Sequence, residues 1–125
     1  MPADQTVIVD LEASPEHFSR AKTAYVDTIL LVAEPYFKSL ETARRYHELA
    51  TELGIPRVAV LANRVRDDAD VVREFCDRNG FELAGAIPQD DSFQTAERLG
   101  VAPIDHDPDS PGVRAIVELA GSLDL

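Results

Sequence analysis

Val58-Ala59-Val60-Leu61-Ala62 is a continuous apolar run near the middle of the chain, and the polar pair Asn63-Arg64 follows it directly. A short uninterrupted run that contains β-branched residues is typical of a strand that is buried on both faces of a parallel sheet. Because ligands of such sheets bind beyond the carboxyl ends of the strands, the residues after the run are candidates for a binding site.

Three further apolar runs predict the other strands of the sheet. They cover residues 6–10, 28–33 and 81–87, and the last is weaker because Gly85 interrupts it. Patterns typical of helices lie between the runs and after the last one. Alternation of strand and helix along a chain indicates an α/β layer fold with right-handed crossovers. We therefore predict a mostly parallel sheet of about four strands, flanked by helices, in a single domain that spans residues 1–125.

The predicted helices begin at capping residues, and most of them end at a glycine. The first begins at Ser14-Pro15-Glu16, and the second covers residues 39–53 and ends at Gly54. The third helix is capped by Asp68 and ends at Gly80, and its inward side chains are Val71, Val72, Phe75 and Cys76. The fourth is capped by Asp91 or Ser92 and ends at Gly100. The last begins at Ser110-Pro111.

The chain is acidic, since 12 basic and 23 acidic side chains among 125 residues give a formal net charge of -11. Binding to nucleic acid or to an anionic membrane surface needs a basic face, so we expect neither partner. No apolar run is long enough to cross a bilayer and no signal peptide opens the sequence, which favours a cytoplasmic protein. Cys76 is the single cysteine, which excludes a disulfide framework.

Three polar residues beside the predicted strands could carry chemistry. Asp10 ends the first run, where nucleotide hydrolases hold Mg²⁺, although an ordinary Asp at a strand end caps a turn there. Ser14 opens a helix whose first amides could face an anion, or it is a plain cap. Asn63 offers one acceptor and two donors, which suits a purine edge, or it bonds its own backbone in a turn. Each residue taken alone favours the structural role.

Five short motifs nevertheless occur in a fixed order along the chain. They are Val-Ile-Val-Asp-Leu-Glu-Ala-Ser at residues 7–14 with Glu-His after it, the strand that ends in Glu-Pro at residues 27–35, Leu-Ala-Asn-Arg-Val at 61–65, Gly-Ala-Ile-Pro-Gln-Asp at 85–90, and the Ala-to-Pro segment at 96–103. In this order they resemble the MinD/ParA group of P-loop ATPases, and most of all its CooC-type members, which insert nickel into carbon monoxide dehydrogenase. The resemblance covers residues 6 to about 119.

The resemblance implies a metal and phosphate side of a nucleotide site. Asp10 would be the Walker B carboxylate near Mg²⁺. Glu12 and Ser14 would form the switch turn near the γ-phosphate of ATP. Ser14 stands where the family usually has Gly, so the close backbone approach that Gly permits is in question.

The resemblance also implies a base side of the same site. Asn63 would contact the adenine of ATP or ADP, and Arg64 lies beside it. Pro88, Gln89 and Asp90 would form the other wall of the base pocket.

The phosphate loop of this family has no counterpart in the sequence. Neither Lys22 nor Lys38 follows a Gly-rich stretch, so no cradle of backbone amides and lysine is expected. In the family the strand of that loop lies between the Walker B strand and the next one. Here the first two strands either pair directly or leave a gap that something else fills. We expect exposed apolar edges, and hence dimerisation or low solubility.

Three functions fit these observations, in decreasing order of preference. The first is a partial CooC/MinD-like nucleotide-binding protein that keeps an adenine-side pocket, holds ATP or ADP and Mg²⁺ weakly and does not hydrolyse ATP alone. The second is a non-catalytic regulatory or protein-binding module that pairs with itself, or as a heterodimer with a full-length ATPase. The third is an independent flavodoxin-like domain that resembles the family in fold only.

Overall fold

The computed structural model describes residues 5–11 and 26–123. Three strands form a parallel sheet in the order β1-β2-β3: β1 (Thr28–Ala33), β2 (Arg57–Val65) and β3 (Glu82–Pro88). The helices of the described part are α1 (Phe37–Glu52), α2 (Ala69–Asn79), α3 (Asp91–Leu99), α4 (Pro103–His106) and α5 (Pro111–Ser122). This architecture confirms the predicted α/β class with a parallel sheet and flanking helices.

The strand predicted at residues 6–10 is absent, so the sheet of the described residues has three strands instead of about four. Residues 5–11 form neither helix nor strand, and Val7, Ile8 and Val9 expose 55%, 84% and 64% of their surface. A strand of a parallel sheet needs a hydrogen-bonded neighbour and cover on both faces, and this segment has neither among the described residues. The helix start predicted at Ser14-Pro15-Glu16 lies outside the described residues.

One face of the sheet carries the main hydrophobic core. Successive side chains of a strand point to opposite faces, so alternate residues of β1 are directed towards α1. The buried residues of this core come from β1, β2, α1, α2 and the turn after α1: Ile29, Leu31, Ala33, Leu40, Ala43, Ala50, Ile55, Val60, Ala62, Val65, Val72, Phe75 and Cys76. Val71 was predicted to face inward but is 43% exposed, because the inward face of α2 is centred on its neighbour Val72.

The opposite face of the sheet is covered less completely. A small cluster of Leu61, Ile87 and Leu119 joins β2 and β3 to α5. Leu30 of β1 packs against this cluster, but Val32 is 59% exposed on the same face. Cover on this face is therefore more complete over β3, which α5 contacts, than at Val32 of β1.

The helix starts need three corrections. α1 begins at Phe37, where Ser39 was predicted, and Asp68 precedes α2 without a capping hydrogen bond from its side chain. The side chain that caps α3 is Asp90, where Asp91 or Ser92 was predicted. Ser110 caps α5 as predicted, and its hydroxyl accepts the Val113 N–H at 3.3 Å. None of the helices in the described ranges is long and apolar enough to span a membrane.

The outer edge of β1 predicts self-association of the isolated chain. This edge has no strand partner among the described residues, and β1 contains no charged residue, proline or glycine, which commonly protect such edges. We expect the average mass measured by light scattering to rise with protein concentration, and Val32→Lys to reduce this rise. Val117→Lys is the matched control, because Val117 is 57% exposed on α5. Equal effects of both substitutions would show that the β1 edge is not responsible.

Candidate functional site

An open pocket of about 740 Å³ lies at the carboxyl ends of the three strands. Its apolar lining comes from strands and helices on the open side of the sheet: Val32, Leu61, Ile87, Phe93, Val101 and Ile116. Its polar lining comes from the end of β2, the segment after β3 and α3: Asn63, Arg64, Gln89, Asp90, Gln94 and Glu97. Parallel strands bring their carboxyl ends to one edge of a sheet, which is why residues distant in sequence meet here.

Asn63 and Arg64 lie in an irregularity near the end of β2. The register between β2 and β3 shifts between Ala62 and Val65, and Arg64 has a left-handed backbone with φ of 54°. Bulges of this kind redirect side chains and occur often beside functional sites. Pairing resumes at once, since the Gln89 N–H donates to the Val65 carbonyl at 2.9 Å. The irregularity therefore places Asn63, half-buried, and Arg64, exposed, on the rim of the pocket.

The Asp90 carboxylate connects the starts of two helices. Its Oδ1 accepts the Ser92 N–H at 2.9 Å, which caps α3, and its Oδ2 accepts the Gly112 N–H at 2.8 Å in the first turn of α5. Hydrogen bonding from Ser92, and after it from the Gly112 N–H, lowers the pKa of Asp90 to about 2. Both carboxylate oxygens thus serve the protein backbone, and Asp90 fixes the position of the pocket wall.

α5 packs very closely against α3 at Gly112. A Cβ atom at this position would lie 2.6 Å from Cζ of Phe93 and 3.0 Å from Oδ2 of Asp90. Real Cβ atoms do not approach other atoms so closely, so this contact requires glycine. Because Phe93 also lines the pocket, the contact sets how far its ring extends into the cavity.

Glu34, at the end of β1, faces Arg64 across the rim of the pocket. Oε1 of Glu34 lies 3.5 Å from Nη1 of Arg64. The Tyr36 hydroxyl donates to Oε2 of Glu34 at 3.1 Å, and the Glu34 N–H donates to Oγ of Ser39 at 2.9 Å. The loop after β1 is therefore tied to the rim formed by β2.

The structure brings together five of the residues predicted from the sequence to bind a cofactor. Asn63, Arg64, Pro88, Gln89 and Asp90 all line the one pocket described above. Their roles in binding a cofactor remain predictions.

Of the residues predicted to form the metal and phosphate side, Asp10 alone lies in the described part of the chain. Asp10 belongs to the exposed segment 5–11 and does not line the cavity, while Glu12 and Ser14 lie outside the described residues. Within the described ranges, no group of three or more His, Cys, Asp or Glu side chains could hold a metal ion.

Sequence reasoning missed the apolar lining and the ion pair at the rim. Val32, Phe93 and Ile116 reach the pocket from β1, α3 and α5, and only the packing of these elements shows that they converge. The Glu-Pro motif after β1 is visible in the sequence, but nothing in the sequence indicates that Glu34 pairs with Arg64.

Comparison with known proteins identifies relatives of this chain, although no protein-family model matches it. An ATP-binding protein of Methanocaldococcus jannaschii is 41% identical over 99 residues, which is 78% of this chain and 38% of that protein. The carbon monoxide dehydrogenase accessory protein CooC of Rhodospirillum rubrum is 36% identical over 104 residues, covering 83% of this chain and 40% of CooC. The chain therefore spans about 40% of the length of these curated relatives.

Solved structures show the same fold. The MinD cell division protein of Aquifex aeolicus superimposes with a TM-score of 0.72 at 24% identity, covering 83% of this chain and 46% of that one. A ParA family ATPase of Chlorobium tepidum matches with a TM-score of 0.64 at 24% identity, covering 82% and 43%. The chain belongs to the family of CooC and shares the fold of the MinD and ParA proteins, which confirms the resemblance seen in the motifs.

Asp90→Ala is expected to destabilise the fold by about 2 kcal/mol, because an N-cap is lost and the Gly112 N–H loses its acceptor. Urea denaturation of both proteins at pH 7 measures the difference. Asp67→Ala, at an exposed position between β2 and α2, is the control and should change stability little.

We also expect the difference in stability between wild type and Asp90→Ala to depend on pH. Folding lowers the pKa of Asp90 from 3.8 to about 2, so its contribution is complete above about pH 4 and disappears as the pH falls through 2. The difference in unfolding free energy between wild type and Asp90→Ala should therefore shrink between pH 4 and pH 2. A constant difference across this range would contradict the role assigned to the carboxylate.

Gly112→Ala is expected to destabilise the fold by about 1–3 kcal/mol, because the added methyl group overpacks the contact with Phe93. Gly121→Ala is a matched control in the same helix, where a Cβ meets nothing within 4 Å. This control should be neutral or stabilising by up to about 1 kcal/mol, as usual for glycine replaced in a helix. Similar thermal unfolding midpoints for the two variants would count against the close packing of α5.

Proposed function

We propose that this chain binds the adenine side of ATP or ADP in the pocket at the carboxyl ends of its strands. The observation that carries the proposal is the convergence of the Asn63 side chain and the segment after β3 on one apolar-walled pocket, in a chain related to ATP-binding proteins. In this proposal Asn63 contacts the edge of the base, while Pro88 and Gln89 form the facing wall.

The chemistry of the pocket suits a heteroaromatic base. An amide side chain both donates and accepts hydrogen bonds, which matches the alternating groups of a purine edge. Val32, Leu61 and Ile87 supply apolar surface for the faces of the ring. Pockets that combine apolar walls with a few placed polar groups, at volumes of about 300–1,000 Å³, are typical of small-molecule sites.

The described residues fit a triphosphate and Mg²⁺ less well than a base. Arg64 is the one cationic side chain that lines the pocket in the described part of the chain, and both oxygens of Asp90 are engaged by backbone N–H groups. Asp10, the residue predicted to hold Mg²⁺, does not line the pocket. We therefore propose weak binding of the phosphates and no hydrolysis of ATP by this chain alone.

The relatives extend the proposal to a cellular role. CooC is an accessory protein of carbon monoxide dehydrogenase by its name. We propose that the present chain acts in the cytoplasm as a nucleotide-binding relative of that protein, with a part in metal-cluster maturation.

A second candidate function is favoured by the free edge of β1. An unprotected apolar edge strand readily pairs with another chain. The chain would then act as a non-catalytic regulatory module that pairs with a second copy or with a full-length ATPase relative. Titration of the chain with nucleotide separates the two candidates, because only the first requires the chain to bind nucleotide.

Asn63→Ala is expected to weaken nucleotide binding about 10- to 100-fold, because the base loses hydrogen bonds worth about 1–3 kcal/mol. Isothermal titration of the purified chain with ATP and Mg²⁺, and then with adenosine, measures both affinities. Asn79→Ala is the matched control, since Asn79 lies on α2 and its side chain bonds only the Phe75 carbonyl. Absence of binding at millimolar nucleotide by the folded wild type would overturn the proposal.

A further inference from the structure

The charges around the pocket are unevenly distributed. Two carboxylates, Asp90 and Glu97, line it together with one cation, Arg64, among the described residues. The chain as a whole carries a formal charge of -11. Arg64 is therefore the one side chain of this described lining whose charge attracts an anionic ligand.

The fold fixes Arg64 at the rim of the pocket. Its left-handed φ of 54° is uncommon for a residue with a side chain, and it lies within the register shift of β2. Such a conformation persists only where surrounding structure holds it, and it is found preferentially at functional sites. The bonded pair of Val65 and Gln89 follows directly and holds the rim in place.

The Arg64 guanidinium has a weakly held partner. Its Nη1 lies 3.5 Å from Oε1 of Glu34, which exceeds the 2.7–2.9 Å of a strong charge-assisted hydrogen bond. The Arg64 side chain is 69% exposed and that of Glu34 is 30% exposed, so water screens the attraction between them. No hydrogen bond of the guanidinium to another described residue is formed, which leaves most of its five donors available for a ligand.

Glu34, in contrast, is anchored. The Tyr36 hydroxyl donates to its Oε2, and Ser39 accepts its backbone N–H. The Glu34 carboxylate therefore has one partner, the Tyr36 hydroxyl, that does not depend on Arg64.

We propose that Arg64 binds a phosphate group of the ligand and that Glu34 competes with this phosphate for the guanidinium. A planar guanidinium matches phosphate oxygens bidentately, so the exchange replaces one weak contact with a stronger one. The pair thus sets the preference of the pocket for phosphorylated over neutral nucleosides. This inference rests on the proposed function, because it assumes that the base lies in the pocket beside Asn63.

The test compares the affinities of each protein for AMP and for adenosine. Adenosine lacks the phosphate, so its affinity measures binding of the base and ribose alone. Isothermal titration at a fixed, low ionic strength measures both affinities for the wild type, Glu34→Gln and Arg64→Gln. The ratio of AMP to adenosine affinity should rise about two- to fivefold in Glu34→Gln, the range of a single exposed ion pair. It should fall about tenfold in Arg64→Gln, because a charge-assisted hydrogen bond is lost.

A matched control separates the local pair from the overall charge. Glu48→Gln removes the same charge from an ion pair with Arg44 on α1, remote from the pocket lining. This variant should leave the ratio at its wild-type value. A rise equal to that of Glu34→Gln would show that net charge alone governs AMP binding, which would overturn the inference.

The remaining outcomes distinguish this inference from the proposed function. Adenosine binding by all variants with one common ratio would overturn the role of the Glu34–Arg64 pair and leave the base pocket intact. Failure of adenosine to bind any folded variant would overturn the proposed function, and the inference with it.

Discussion

The two hydrogen bonds accepted by the Asp90 carboxylate hold one wall of the pocket in place. One oxygen caps α3 and the other takes the Gly112 N–H, so a single side chain directs the first turns of two helices to the same point. Negative charge at a helix N-terminus is favourable because backbone N–H groups there have no partner within the helix. The closest contact between α3 and α5, the pocket wall and the position of Phe93 all depend on this arrangement.

The sheet provides the other constraint on the site. Its parallel strands bring Glu34, Asn63 and Gln89 to one edge although long stretches of sequence separate them. The register shift near the end of β2 then turns Arg64 onto the rim, opposite Glu34. The main core covers one face of the sheet, whereas Val32 of β1 is exposed on the other face. The pocket is accessible from this exposed side.

Much of the fold was predictable because its signals are local. The apolar runs at residues 28–33, 58–62 and 81–87 are strands, and glycines end helices where predicted. Residues 6–10 were wrongly predicted as a strand, because their β-branched side chains show strand propensity but not whether a neighbouring strand exists. Asp90 lines the pocket, and its position after β3 can be read from the sequence, whereas its bond to Gly112 depends on how α5 packs, which no local pattern encodes. The same holds for the ion pair between Glu34 and Arg64.

The tight contact at Gly112 also limits which residues this position can hold. A larger side chain there would collide with the Phe93 ring and the Asp90 carboxylate, whereas the helix backbone itself would accept it. The size of the residue at this position therefore limits how closely α3 and α5 can approach each other. A larger residue at this position would require α5 to move outward from α3, and that movement would reshape the cavity beside Phe93.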